Sequence, residues 1–169
     1  MGRVTTIQRE ILDDGDVERT RTLPDGGVIR ALYETDGTLT VFGADGSVTT
    51  QHLEDDARFG AEAPLLRELQ VVLPSGLTST MTHERSVLLT DPTDLLSLDL
   101  LRDTLSYDGR EFTVTLTTAP LRTVFQTPEG IQLEENFDNQ GRPTTIEYDR
   151  GSDVDDKIFT YDEEGRLGG

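Results

Sequence analysis

The stretch LPDGGVIRALYETDG (residues 23–37) places two Asp-Gly pairs eleven residues apart, with a short run of strand-forming side chains between them. Glycine adopts a positive φ without strain, and aspartate accepts hydrogen bonds from the turn backbone, so Asp-Gly is typical of tight turns. Two such turns separated by about five to eight strand residues predict the arms of consecutive hairpins. We therefore expect the chain to fold back on itself at each Asp-Gly pair.

Turn-forming residues of the same kind recur along the whole chain. Between the turns, apolar and polar side chains often alternate, as in residues 131–137, which predicts strands with one packed face and one wet face. The sequence thus predicts an all-β fold, a curved antiparallel sheet of successive β-hairpins that forms a single segment over residues 1–169. The turn signals are Asp14-Gly15, Asp25-Gly26, Asp36-Gly37, Asp45-Gly46, Pro74-Ser75-Gly76, Asp108-Gly109, Pro128-Glu129-Gly130, Gln140-Gly141 and Glu164-Gly165.

Two leucine-rich segments also fit a helix. In residues 62–73 the apolar side chains are spaced by about three and four positions, and residues 94–105 share that spacing. The run Gln70-Val71-Val72-Leu73 before Pro74 fits a strand equally well. The pattern leaves helix and strand open for both segments.

The charge balance limits the classes of partner. The 169 residues contain 15 Lys+Arg and 33 Asp+Glu, a formal net charge of −18, which argues against a nucleic-acid backbone as partner. Two explanations of the charge stay open: acidic residues that keep the chain soluble, or an acidic face that holds a basic cargo. No apolar run is long enough to predict a membrane span, and the absence of cysteine excludes disulfides and thiolate metal sites.

One acidic cluster has the oxygen ligands that Ca²⁺ prefers. Asp149, Asp153, Asp155 and Asp156 lie within eight residues, although the EF-hand template fails because Gly151 and Val154 occupy the wrong positions. Solvated turn carboxylates are the alternative interpretation. We expect no organic cofactor, and Ca²⁺ is the one metal that this cluster suggests.

Candidate catalytic groups do not assemble into a recognisable set. Carboxylate pairs such as Glu134 and Glu135 arise by chance among so many acids, and adjacent strand residues point to opposite faces. His52 and His83 are far apart in sequence, and no nucleophile, base and orienting group can be named together. The sequence therefore predicts a protein that is not an enzyme.

Two segments near the end of the chain share a motif. NFDNQGRP (residues 136–143) and YDEEGRL (residues 161–167) both contain an aromatic residue, Asp, two variable residues, Gly and Arg, with glycines 24 residues apart. This motif resembles the tyrosine-aspartate (YD) repeat of the Rhs family, bacterial shell proteins whose relatives include insecticidal toxin complexes and the animal teneurins. The second copy matches fully, whereas Phe137 and Pro143 replace the usual Tyr and Leu in the first.

The resemblance implies a function as well as a fold. Rhs shells are ribbons of hairpins that enclose a C-terminal toxin part, so the resemblance implies a structural wall segment, secreted or at the cell surface as part of a larger protein. It implies neighbouring repeats or the toxin cargo as partners. The exposed strand edges of such a segment also predict self-association. The chain lacks the family's self-cleaving core, so no catalytic residue is carried over. Two alternatives stay open. The first is a surface module that binds glycan or protein through Arg58 and Phe59 in the loop of residues 54–64. The second is a metal-dependent hydrolase.

Overall fold

The computed structural model describes residues 4–151 and 153–168, and it is all-β, with no helix among them. Thirteen strands form an antiparallel sheet in which strand order follows the sequence. This confirms the prediction of successive hairpins. The strands are β1 Thr6–Ile11, β2 Val17–Thr22, β3 Val28–Tyr33, β4 Thr38–Phe42, β5 Val48–Asp56, β6 Gly60–Val72, β7 Thr78–Leu89, β8 Leu98–Tyr107, β9 Arg110–Thr118, β10 Leu121–Gln126, β11 Gln132–Phe137, β12 Pro143–Asp149 and β13 Val154–Ile158.

The described residues group into two compact units. The first unit contains residues 4–56 and Gly60–His83, and the second contains Ala57–Phe59 and the described residues from Glu84 onward. The first unit therefore holds β1 to β6 and the start of β7. The second holds the end of β7 and β8 to β13.

Most hairpins of the first unit use one five-residue turn, seen between β2 and β3. The Leu23 N–H donates to the Gly27 carbonyl at 2.8 Å, and the Gly26 N–H donates back to the Leu23 carbonyl at 3.0 Å. Gly26 has φ of 89°, a left-handed conformation that a side chain would strain. The Asp25 carboxylate accepts the Gly27 N–H at 3.0 Å, which holds the turn from within.

This turn fixes the register of the strands that it joins. Thr22 lies opposite Val28 on one side of it, and Val17 lies opposite Tyr33 at the far end of the same pair. Because a slip of one residue would move every side chain to the other face, the repeated turn keeps apolar positions on a common face. Ile29, Ala31 and Tyr33 share that face in β3.

Neither leucine-rich segment forms a helix, which settles the open choice. Residues 62–73 lie almost entirely in β6, which continues from Gly60 to Val72 and pairs with β5 through two register shifts. In the other segment, aspartate-capped turns occupy residues 90–97 and β8 begins at Leu98. Leu101 then lies opposite Leu116, and Leu105 opposite Phe112, so strand pairing covers these leucines better than an isolated helix would.

The described residues contain no enclosed hydrophobic core. No hydrophobic side chain among residues 4–151 and 153–168 is fully buried, and the most enclosed residues are Asp56 and Thr113. Within each unit the apolar side chains therefore stay partly exposed.

Candidate functional site

The second unit carries one strongly apolar sheet face. Strand pairing places Val114, Phe125, Leu133 and Tyr148 directly opposite one another across four adjacent strands. The rings of Phe112 and Phe125 stack with centroids 6.3 Å apart. Residues two positions apart along each strand share a face. We call this surface the apolar face. Its apolar side chains are Leu101, Leu105, Phe112, Val114, Leu116, Phe125, Leu133, Ile146 and Tyr148, and Asp103, Thr123 and Glu135 lie on the same side among them.

The opposite face of the same unit is polar. Thr104, Thr113 and Gln126 lie in one cross-strand row there, and Gln132 continues the row into β11. Arg122 on this face forms an ion pair with Glu134 at 2.6 Å. The unit thus has the two-sided character of an antiparallel sheet that packs on one side and meets water on the other.

Nothing in the described residues covers the apolar face. Val114 and Leu133 each retain 36% of their exposure although they lie in interior strands. A shallow groove of about 300 Å³ on this face is lined by Leu133, Ile146, Tyr148, Asp155 and Lys157. Sheets of this kind are stable when another layer packs on the apolar side, so this face is the strongest candidate for contact with a partner.

The two YD-like motifs form identical corners. Asp138 accepts the backbone N–H groups of Gln140 at 2.8 Å and of Arg142 at 3.0 Å, and its second carboxylate oxygen accepts the Arg142 Nε–H at 2.7 Å. Asp162 makes the same contacts with Glu164 and Arg166. One carboxylate therefore caps the turn backbone and holds the arginine that starts the returning chain.

The two corners contact each other through side chains. The Arg142 guanidinium lies over the Tyr161 ring, 4.4 Å from its centroid, and the Tyr161 hydroxyl donates to the Pro143 carbonyl at 2.8 Å. A Cβ at Gly165 would lie 2.9 Å from Nη1 of Arg142, a contact that the flexible end of that side chain can relieve by moving, so the requirement for glycine there comes from its φ of 79°. Tyrosine, aspartate, glycine and arginine of the motif thus act as one contact set between successive corners.

The corner contacts also lower the pKa values of the two corner aspartates. The backbone N–H of Arg142, then the guanidinium of the same residue, lower the pKa of Asp138 below its ordinary value of 3.8. The same groups of Arg166 lower the pKa of Asp162. Both carboxylates are therefore held ionised, which keeps their hydrogen bonds charge-assisted.

The residues predicted to bind a glycan or protein lie at a turn tip. Arg58 and Phe59 belong to the turn between β5 and β6, and the Arg58 guanidinium lies 4.8 Å from the Phe59 ring centroid. The Arg58 Nε–H donates to the carbonyl of Leu95, so this turn is tied to the loop of residues 90–97. Phe59 is 41% exposed. Binding by this pair stays a prediction.

The four aspartates predicted to bind Ca²⁺ do not converge. Asp155 lies opposite Tyr148 and Asp156 opposite Glu147, so these neighbours point to different faces of β13. Asp149 accepts the Gly151 N–H at 2.6 Å, and Asp153 lies in the exposed turn before β13. Among the residues that the structure describes, no three histidine or carboxylate side chains are placed to hold a metal ion.

Some contacts have no counterpart in the sequence analysis. Arg85 and Asp103 form a two-pronged pair, with Nε to Oδ1 at 2.7 Å and the second amino group to Oδ2 at 2.8 Å. The stacking of Arg142 on Tyr161 is the other contact of this kind. It could have been predicted from the motif, because the arginine of one copy and the tyrosine of the next are 19 residues apart. The Arg85–Asp103 pair has no signal in the sequence.

Comparison of the chain with protein-family models and with curated proteins gives no match. The described residues form no helix with the length and apolar character needed to cross a membrane.

Proposed function

We propose that this chain is a structural wall segment of an Rhs-type toxin-delivery protein, secreted or at the cell surface, whose sheet encloses or binds a toxin part. The observation that carries the proposal is the uncovered apolar face of the second unit. A sheet with one apolar and one polar side buries the apolar side against another layer, and the described residues supply no such layer. A cargo on that side would provide it.

The corners support the same function. In a wall, each hairpin must keep its position relative to the next, because a slipped hairpin opens a gap. The contact set of Asp138, Arg142 and Tyr161 joins two successive corners by a charge-assisted hydrogen bond, a ring contact and a hydroxyl contact. The motif therefore holds successive repeats at a fixed spacing, and none of its residues is proposed to be catalytic.

Single cysteines test the proposal directly, because the chain has none of its own. Val114→Cys and Leu133→Cys report on the apolar face, and Thr115→Cys and Gln132→Cys are controls one residue away on the polar face. We expect a maleimide reagent to label all four in the chain alone. In the assembled polypeptide with its toxin part, labelling of the first two should be strongly slowed while the controls stay reactive.

Two labelling results would contradict the proposal. Equal labelling of Val114→Cys and Thr115→Cys in the assembled polypeptide would show that no cargo covers the apolar face. Protection of both faces alike would point to aggregation and would also contradict a one-sided wall.

A surface module for glycan or protein is the second candidate. The exposed Phe59 ring beside the Arg58 guanidinium offers a stacking surface for a sugar ring. Glycan-array binding that Phe59→Ala removes would support this function. Tyr107→Ala is the matched control, since Tyr107 is also an exposed aromatic residue and is 52% accessible. Absence of array binding by the unmodified chain would remove the candidate.

A further inference from the structure

The chain contains five Asp-Gly bonds, a dipeptide at which a protein backbone can rearrange without an enzyme. The amide nitrogen of the glycine can attack Cγ of the preceding aspartate, because glycine has no side chain to obstruct the approach. The structure divides the five bonds into two kinds of turn. They are Asp14-Gly15, Asp25-Gly26, Asp36-Gly37, Asp45-Gly46 and Asp108-Gly109.

In the four Asp-Gly turns of the first unit, the glycine nitrogen is engaged in the turn. Each of these glycines donates its N–H to the carbonyl three residues earlier, at 3.0 to 3.2 Å, as Gly26 does to Leu23. A nitrogen held in this way must give up its hydrogen bond before it can reach the neighbouring carboxyl group. The native turn therefore slows the rearrangement at these four positions.

The turn at Asp108-Gly109 is of the other kind. Only these two residues join β8 to β9, and Tyr107 lies opposite Arg110 where the strands begin. Asp108 has φ of 47° and Gly109 has φ of 80°, the two positive values that such a short turn requires. No hydrogen bond among the described residues uses the Gly109 N–H. This nitrogen is therefore available for attack within the folded chain.

Backbone strain and solvent access favour the same bond. Asp108 is the one residue other than glycine with a positive φ in residues 4–151 and 153–168, and a side chain makes that conformation costly. Ring closure rotates the backbone of Asp108 out of the native turn, which releases this strain. Both turn residues are exposed, and no atom lies within 4 Å of the position that a Cβ on Gly109 would occupy. Water can therefore reach the ring and open it.

We propose that the Asp108-Gly109 bond is a site of spontaneous covalent modification, at which aspartate becomes isoaspartate through a cyclic succinimide. The Gly109 nitrogen bonds to Cγ of Asp108, and the carboxyl hydroxyl leaves as water with the amide proton. Water then adds to the original peptide carbonyl carbon of Asp108, its bond to the Gly109 nitrogen breaks, and a proton returns to that nitrogen. One water is lost and one is gained, so the product has the original mass and no oxidant or reductant takes part.

The modification lengthens the turn by one methylene group of backbone. A two-residue hairpin turn sets the register of its strands, so a longer turn should loosen the pairs beside it, beginning with Leu105 opposite Phe112. We expect the amides of these two residues to exchange hydrogen faster in the modified chain. The rearrangement needs no partner and does not depend on the wall function.

Cleavage after arginine gives a direct comparison within one protein. The peptides TLPDGGVIR (residues 22–30) and DTLSYDGR (residues 103–110) each contain a single Asp-Gly bond. After incubation of the full chain at neutral pH, electron-transfer fragmentation identifies isoaspartate, and the loss of one water identifies succinimide. Peptide 103–110 should convert at least about fivefold faster than peptide 22–30, the factor expected for one turn hydrogen bond. In a chain unfolded by urea the two rates should become similar.

Asparagine variants give a second measurement. Asp108→Asn forms the same ring with loss of ammonia in place of water, and the turn tolerates it because asparagine enters the left-handed conformation easily. Asp25→Asn is the matched control in the other kind of turn, where the Gly26 N–H stays bound to Leu23. The Asp108→Asn chain should gain the mass of the amide-to-acid change at least about fivefold faster than the Asp25→Asn chain.

Three outcomes would overturn the inference. Equal conversion of the two peptides in the folded chain would show that the turn gives Gly109 no advantage. A difference that persists unchanged in urea would assign it to the neighbouring residues and not to the turn. Unchanged exchange at Leu105 and Phe112 after conversion would show that the hairpin absorbs the longer backbone, and would overturn the predicted loosening.

Discussion

At the level of single residues, aspartate holds the turns in two different ways. In the first unit Asp25 stands at the third turn position and accepts only the backbone N–H of the fifth. In the YD-like corners Asp138 stands at the first position and accepts two backbone groups and an arginine. An aspartate at the first turn position, as in the YD-like corner, therefore holds an arginine as well as the turn backbone. That arginine, Arg142, in turn contacts Tyr161.

The lowered pKa values predict acid sensitivity. Because the pKa of folded Asp138 lies below 3.8, its contribution to stability is present above pH 3.8 and is lost as the pH falls further. We expect thermal unfolding followed by circular dichroism to show a lower midpoint below that pH. Asp138→Asn keeps the turn acceptor but removes the charge, so this variant should lose less stability on acidification.

Asp162→Asn is the matched control for Asp138→Asn. Its arginine, Arg166, is 74% exposed, against 30% for Arg142, so the ion pair at the second corner is better screened by solvent. The Asp162→Asn variant should lose less stability at neutral pH than Asp138→Asn. Equal losses would show that the backbone hydrogen bonds alone, and not the arginine, account for the role of these aspartates.

A glycine substitution isolates the backbone requirement of the turns. Gly26 has φ of 89°, and no atom lies within 4 Å of the position that a Cβ would occupy. Gly26→Ala should therefore lower the free energy of unfolding by about 1–2 kcal/mol through backbone strain alone. Urea unfolding measures this. Gly26→Asn should cost less, since asparagine enters this conformation more easily, and an unchanged midpoint for Gly26→Ala would contradict the turn geometry.

At the level of strands, the sequence predicted the turns better than the strand pairing. Asp-Gly spacing identified the hairpins because glycine at positive φ is a local requirement. The Leu-rich segments stayed ambiguous because their strand leucines lie opposite residues of a neighbouring strand, as Leu105 lies opposite Phe112, and pairing of that kind has no local signature. The Arg85–Asp103 pair is hidden for the same reason, since its members are 18 residues apart.

The Arg85–Asp103 pair gives an element-level prediction. Two parallel hydrogen bonds between partly buried charged groups should couple the two strands by about 1 kcal/mol. A double-mutant cycle of Arg85→Gln and Asp103→Asn, read by urea unfolding, measures that coupling. The exposed pair of Arg67 and Glu54, at 3.2 Å and 34% and 61% exposure, is the control and should give a smaller value.

For the whole molecule, net charge and uncovered area oppose each other. A charge of −18 keeps copies apart, whereas the uncovered apolar face of the second unit favours association. Salt screens the charge repulsion and leaves the attraction between apolar surfaces in place. The degree of association therefore depends on ionic strength.

Sedimentation at increasing salt tests this balance. We expect the unfolding temperature and the average mass at high protein concentration both to rise between 0.01 M and 0.1 M NaCl, as the screening length falls from about 30 Å to about 10 Å. Near the isoelectric pH of 4.3 the salt effect should vanish. A strictly monomeric species under every condition would contradict the association.

The order of the strands has a consequence for how the chain folds. Every strand of the sheet lies beside the strands that precede and follow it in sequence, so no pairing waits for a distant segment. Proteins with such low contact order fold quickly, because each loop that closes is short. The sheet can therefore assemble hairpin by hairpin as the polypeptide emerges from a ribosome.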